Sequence, residues 1–463
     1  MPGTRPTDNA IGKARTPPTG WLTRQLIPER DEPVTTNYNI YNGRFSSLNS
    51  FGVLAFTAMV LAMASAAQAQ TYTVLHNFSG GTADGMTPWG SLIQSDNILY
   101  GMTYMGGESN AGTLFAFNTS NNTQSLLHSF GSGNDGSRPT GSLIQSGTAL
   151  YGMTEYGGST GEGIIFSFDT SNNAQKVLHN FIDDGRDGSY PSGSLIKSGS
   201  ILYGLTQTGG TGGGTAFAFN ISNSVQTLLH SFGYIPDGSG FNNGSLMLSG
   251  NTLYGMTLEG GKSLGAYGGG YGTIFSINTS TKTEKVLHAF LGSPTEGACP
   301  QAGTLIQSGD ILYGMTYANG TSWNNPWVGD GTLFAFNTDS NTLTVLHNFA
   351  GGSSDGEYPW GSLTQSGSLL YGMTSWGGTS NKGIIFSFDL NTDALSVLHS
   401  FNGSDGAGPS GDLLLSGNTL YGMTQWGGSS NDGVIFSLIV PEPATLSLLA
   451  LGGLALLRRK RKA

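Results

Sequence analysis

Cysteine is nearly absent: there is one, Cys299, in 463 residues. No intramolecular disulfide can form, and no cysteine cluster exists to hold zinc or an iron–sulfur centre. The lone thiol reads as an inert loop or core residue rather than a reactive one. Charge is scarce as well, at 10% of residues, and cations are the scarcer sign. Between residues 70 and 440 there are eight Lys/Arg against 24 Asp/Glu, a net charge of −16. Such a surface repels a phosphate backbone, which argues against nucleic acid as a partner. Cations and neutral polymers stay open. The same stretch holds two arginines, Arg138 and Arg186, too few for the arginine triad of a sialidase-like site. Helical spacing of apolar residues is also missing throughout.

The apolar runs that do occur lie at the two ends. FGVLAFTAMVLAMASAAQAQ, residues 51–70, follows Arg44 and ends in Ala67-Gln68-Ala69. A small-x-small site after an apolar core is the pattern of a secretory signal peptide, so residues 1–69 read as leader and signal. At the other end Pro441-Glu442-Pro443 precedes a largely apolar run of fourteen residues, 444–457, and then Arg458-Arg459-Lys460-Arg461-Lys462. Fourteen residues are short for a permanent span, and the basic cluster would hold that end on the cytoplasmic side. In its three ordered parts, this segment, 441–463, resembles the PEP-CTERM sorting signal of Gram-negative bacteria. The resemblance implies transient membrane anchoring, recognition by an exosortase-type processing enzyme, and delivery to the envelope surface or extracellular matrix.

Between these ends one phrase recurs. LYGMT begins at Leu99, Leu150, Leu253, Leu312, Leu370 and Leu420, and LYGLT at Leu202. Beside it runs a second marker, VLHNF or a close variant, which contains all seven histidines: His76, His128, His179, His230, His288, His347 and His399. A fixed period near 50 residues signals a repeat architecture. Each unit parses into four short strands: a (GSLIQS), b (LYGMT), c (TLFAF) and d (LLHSF). They are separated by Gly-, Asn- and Ser-rich turns, as in tight hairpins. Four strands repeated seven times predict an all-β, seven-bladed β-propeller over residues 70–440. The region opens on a lone strand d and closes on a, b and c. The N-terminal strand is therefore expected to complete the last blade and remove the open edge. The unit resembles a kelch repeat in layout. With its Asp-Gly-x-x-Pro loop, it is closer to the GloVer tandem repeat of bacterial surface proteins.

Strands that alternate in direction place the d-to-a and b-to-c loops on one face and the short turns on the other. All the length variation is on the first face, where the b-to-c loops of copies four and five, residues 258–272 and 317–331, are enlarged. Variable loops on a rigid scaffold carry binding residues. Tyr267, Tyr271, Trp323 and Trp327 in those insertions are therefore candidate contacts for a sugar polymer, against the plainer reading that they pack the loops down.

Asp84, Asp135, Asp187, Asp237, Asp355 and Asp405 each precede a glycine in the d-to-a crossing, with Glu296 in the seventh. Asp-Gly is a turn former. The alternative is calcium, which suits loop carboxylates and carbonyls, although no D-x-D-x-D-G loop occurs. The histidines are too dispersed over seven blades to share one metal, and a packed His bonded to a neighbouring blade is expected. Calcium is thus the one candidate cofactor. Within LYGMT, Tyr and Met fall on one face for blade packing, and Gly permits close approach. No constellation of catalytic residues stands out. An acid pair for glycoside chemistry, for example Asp330 with Glu259 or Glu296, is the enzymatic alternative. The reading favoured is a non-catalytic binding or structural component of the cell surface or matrix. Its expected contacts are extracellular polysaccharide or surface proteins.

Overall fold

The structure is a computed structural model that describes residues 70–441 apart from 132, 234, 242–243, 263–269, 301–302 and 319–328. Seven antiparallel sheets stand in a ring, a seven-bladed β-propeller as the repeat predicts. In blade 1 the strands are a, Ile93–Ser95; b, Ile98–Thr103; c, Thr113–Asn118; and d, Thr123–Ser129. Blade 7 takes its outer strand from the other end of the chain. Tyr72–Asn77 pairs antiparallel with Val434–Ile439, from Tyr72 opposite Leu438 to Asn77 opposite Val434. The main-chain N–H of Ile439 donates to the carbonyl of Thr71 at 3.1 Å. Both ends of the ring therefore meet where the other blades make their c-to-d turns.

Burial follows the period-2 alternation of the strands. Leu99 is fully buried on the side facing blade 7, with Phe78, Phe115 and Ile435, while Met102 and Tyr100 face Phe130 and Phe166 on the side of blade 2. Tyr and Met thus share a face. A Cβ on Gly101 would lie 2.5 Å from the Phe115 ring, so the glycine makes room for the aromatic of its own sheet. Between blades the same clasp is repeated: the Phe of strand d meets the central Phe of strand c in the next blade edge-to-face. Phe130 and Phe166 are 5.2 Å apart at 64°, Phe401 and Phe436 5.5 Å apart at 64°. Edge-to-face pairs add about 0.5–1.5 kcal/mol beyond the area they bury.

The inner strands close the axis. At the start of strand a, each blade hands a hydrogen bond to the next. Ser91 N–H donates to Ser142 Oγ at 3.2 Å, Ser142 N–H to Ser194 Oγ at 2.9 Å, and Ser194 N–H to Ser245 Oγ at 2.8 Å. Ser245 N–H reaches the Gly303 carbonyl at 3.3 Å. Thr304 N–H then donates to Ser362 Oγ, Ser362 N–H to Asp412 Oδ1, and Asp412 N–H back to Ser91 Oγ, at 2.6, 2.5 and 2.6 Å. At six of these seven places the preceding glycine brings the backbones together; Gly244 is the exception, with nothing closer than 3.8 Å to an added Cβ. A Cβ on Gly90 would sit 1.8 Å from the Gly141 carbonyl oxygen.

Candidate functional site

Two sets of repeated residues surround this core. The first is the seven histidines. Each Nε2 meets the acid of the crossing that follows its own strand: His179 with Asp187 at 2.9 Å, His128 with Asp135 at 3.0 Å, His288 with Glu296 at 3.5 Å. The expected bond to a neighbouring blade is not what the structure has. The neighbour supplies packing instead, as where Tyr72 stacks on His399 at 3.8 Å. The acids also fasten main-chain N–H groups. Asp84 accepts from His76 Nε2 at 3.2 Å, Ser79 N–H at 3.0 Å and Gly85 N–H at 2.8 Å.

Burial alone would push the Asp84 carboxyl up. The hydrogen bonds from His76, Gly85 and Ser79, with the imidazole charge, hold it below the usual carboxylate value. A depressed pKa in the folded state means stability that is present above about pH 4 and lost as pH falls through the folded value. Asp84→Asn is expected to cost about 1–3 kcal/mol at pH 7, with its deficit in melting temperature shrinking at pH 3. An equal deficit at both pH values would contradict this account.

The second set lies on the long-loop face. Trp89 and Trp360 occupy matching places just before the axial glycines, in TPWGS and YPWGS. Trp376 and Trp426 follow the b-strand phrase in SWGG and QWGG. With Tyr317, these four indoles line a cleft of ≈310 Å³ across blades 5, 6, 7 and 1, joined by Ser375 and Gln425. A second cleft of ≈230 Å³ shares Ser375, Trp376 and Trp426, and extends to Lys382, Gly408 and Asn431. Trp376 is 40% and Trp426 42% exposed, high values for the largest apolar side chain. The indole Nε1 atoms of Trp89 and Trp360 are enclosed and, among the described residues, have no hydrogen-bond partner.

The cleft walls are fixed by their neighbours. Tyr317 stacks on Tyr358 at 4.6 Å and meets Trp360 edge-on at 5.7 Å. Trp89 meets Tyr104 at 4.7 Å. Tyr104 donates to Glu155 Oε2 at 2.9 Å, Gln207 donates to Glu155 Oε1 at 3.2 Å, and the Arg138 guanidinium lies over the Tyr104 and Tyr156 rings. Burial, then the Glu155 carboxylate, pushes the Tyr104 hydroxyl up to about 12.

Of the four aromatic residues expected at the site, Tyr271 is the one among the described residues. Tyr271 packs against Leu258, Ala298 and Cys299, filling the loop. Tyr267, Trp323 and Trp327 lie outside the described residues, as do Ala67, Ala69, Glu442 and Pro443; Pro441 is the last residue described. Cys299 is buried, and burial followed by the Glu259 charge pushes its thiol up to about 12, which makes it inert. The structure sets Asp330 beside Glu357, which together flank Gly351. Burial, then the Asp330 charge, raises Glu357 above the usual carboxylate value. Glu296 is taken up by His288 and by the N–H of Leu291.

A repeat-family model matches residues 42–268, 148–328 and 264–451, together most of the chain. The chain belongs to the Gloeobacter/Verrucomicrobia repeat family. No curated protein matches it. Among solved structures, this family member is similar to the extracellular domain of a putative one-component system from B. thetaiotaomicron. The identity is 13% and the TM-score 0.50, over 80% of this chain and 42% of that one. It is also similar to TolB from Acinetobacter baumannii (14%, TM-score 0.37, 68% and 64%) and to the β-propeller domain of the Trilobed protease from Pyrococcus furiosus (9%, TM-score 0.44, 76% and 94%). The chain spans less than two thirds of the first two. At these identities the likeness concerns the propeller fold alone.

Proposed function

We propose that this repeat protein is an exported, non-catalytic component of the cell surface or extracellular matrix that binds polysaccharide on its long-loop face. The observation that carries the reading is the cleft between Trp89, Trp360, Trp376, Trp426 and Tyr317. Flat apolar faces beside polar groups suit the C–H faces and hydroxyls of a sugar ring. Ser375, Gln425, Lys382 and Asn431 supply hydrogen-bond partners next to the indoles. The acidic balance of the propeller favours a neutral or weakly charged polymer. Export by the signal at Ala67–Ala69 and sorting of the Pro441-Glu442-Pro443 tail by an exosortase-type enzyme belong to the same reading. Calcium at the d-to-a carboxylates would stiffen those loops.

The Asp330–Glu357 pair favours a second reading, in which the same face cleaves the polymer by carboxylate chemistry. One experiment addresses both. The full chain is mixed with extracellular polysaccharide from its host, and both bound protein and polymer length are measured. Saturable binding with intact polymer is expected. Trp376→Ala and Trp426→Ala should each weaken it roughly 10–30-fold, the loss of one exposed aromatic anchor. Shortened polymer would favour the enzyme, and binding unchanged in both variants would remove the cleft from the account.

A further inference from the structure

The seven His–acid pairs are near copies, so a departure in one of them is informative. The residue two positions before the conserved Val/Leu-Leu-His of strand d faces the crossing loop of the preceding blade. In blade 7 it is Tyr72, whose hydroxyl donates to the Asp405 carbonyl at 2.6 Å. In blade 3 it is Gln226, whose amide donates to the Asp187 carbonyl at 3.3 Å. Gln124 and Gln175 bring the same donor in blades 1 and 2, and Leu343 and Leu395 bring none in blades 5 and 6. Blade 4 alone has a carboxylate there, Glu284.

Glu284 faces His230 and Asp237. A ring nitrogen of His230 and one oxygen from each carboxylate lie within 4.8 Å of one another. His230 Nε2 and Asp237 Oδ2 are 3.3 Å apart, and the Asp237 carbonyl already accepts from Thr273 Oγ1 at 3.0 Å. Glu284 therefore brings acceptors to a place where blades 3 and 7 make a donor bond, and where the Nε2 atoms of Gln124 and Gln175, among the described residues, are buried without a hydrogen-bond partner. Its Oε1 is shut off from solvent and, among the described residues, has no hydrogen-bond partner. A positive charge between two carboxylates this close, a proton on one of the three groups or a metal ion, relieves their repulsion.

We propose that His230, Asp237 and Glu284 form a binding site for one divalent transition-metal ion of the zinc type. One imidazole nitrogen and two carboxylate oxygens are a zinc-type ligand set, which the ion completes with a fourth ligand. The imidazole distinguishes the site from the all-oxygen calcium sites considered for the loops. The ion bridges blades 3 and 4 at the periphery, so its role is to clamp two neighbouring sheets. Burial, then the Asp237 charge, pushes Glu284 up to about 7, so a proton is the competitor that a metal has to displace.

The test is a zinc titration by calorimetry on the full chain, first stripped with a chelator. One equivalent is expected to bind and to raise the melting temperature by mass action. Glu284→Gln installs the residue that blades 1–3 carry, so it is expected to fold. It should weaken zinc binding by more than the ~10–100-fold that loss of an outer-shell partner costs. His230→Gln, read in the same way, is the second variant. No zinc binding by the wild-type chain would overturn the proposal. So would wild-type stoichiometry and affinity in both variants, which would leave Glu284 holding only a proton.

Discussion

Gly141→Ala is expected to lower the melting temperature sharply, as one of the most damaging single-methyl changes in the propeller. The added Cβ would sit 2.0 Å from the Gly193 carbonyl oxygen and 2.7 Å from the Ser194 nitrogen. Both are main-chain atoms of the next blade and cannot rotate away. Residue 141 also has φ +69°, which costs a side chain of the order of 1 kcal/mol. Overpacking adds about 1–3 kcal/mol. Displacing the backbone would also break the hydrogen bond from Ser142 N–H to Ser194 Oγ. A total above about 3 kcal/mol follows. The control is Gly147→Ala. That residue has φ +62° but nothing within 4 Å of the added carbon, so it isolates the backbone term. Equal losses in the two variants would mean that the axial contact contributes nothing.

Tyr72→Ala should be the most damaging change on the outer strands. Tyr72 stacks on His399, meets Phe401 at 5.8 Å and Phe436 at 5.4 Å, and donates its hydroxyl to the Asp405 carbonyl. Burial, then the Asp405 charge, keeps that hydroxyl protonated far above its ordinary range. Truncating a packed aromatic costs about 3–5 kcal/mol, whereas Tyr72→Phe, which keeps the packing, should cost about 1 kcal/mol. The loss falls on the strand that closes the ring. Opening it exposes the unpaired edge of Val434–Ile439, so light scattering should rise together with unfolding in Tyr72→Ala. A melt as clean as the wild type, without aggregation, would show that the closing strand does not depend on this ring.

The architecture was legible because it is written seven times. Period, strand phrases and the displaced first strand all point to one closed ring, and packing had only to realise it. The candidate site was harder to read, for a specific reason. Length variation drew attention to the two insertions, whereas Trp89, Trp360, Trp376 and Trp426 sit at ordinary repeat positions. A signal was present: Trp stands before the axial glycine in copies 1 and 6, where the others have Thr, Ser, Asn or Ala, and after the b strand in copies 6 and 7. Only ring closure brings copies 6 and 7 beside copy 1, so no linear reading places Trp89 with Trp426. The His–acid pairing was hidden differently. Both partners were seen as repeats, but their contact depends on the path of the crossing loop, which no residue pattern specifies.

The meeting of Thr71 with Ile439 also fixes an orientation. Both chain ends leave the ring from one blade, on the face of the short c-to-d turns. The indoles lie on the opposite face. A tether attached beyond Pro441 would therefore present the propeller like a dish on a stalk, with the tryptophan cleft directed away from whatever holds the stalk. The short turns, uniform and polar, would be the side turned toward the anchor.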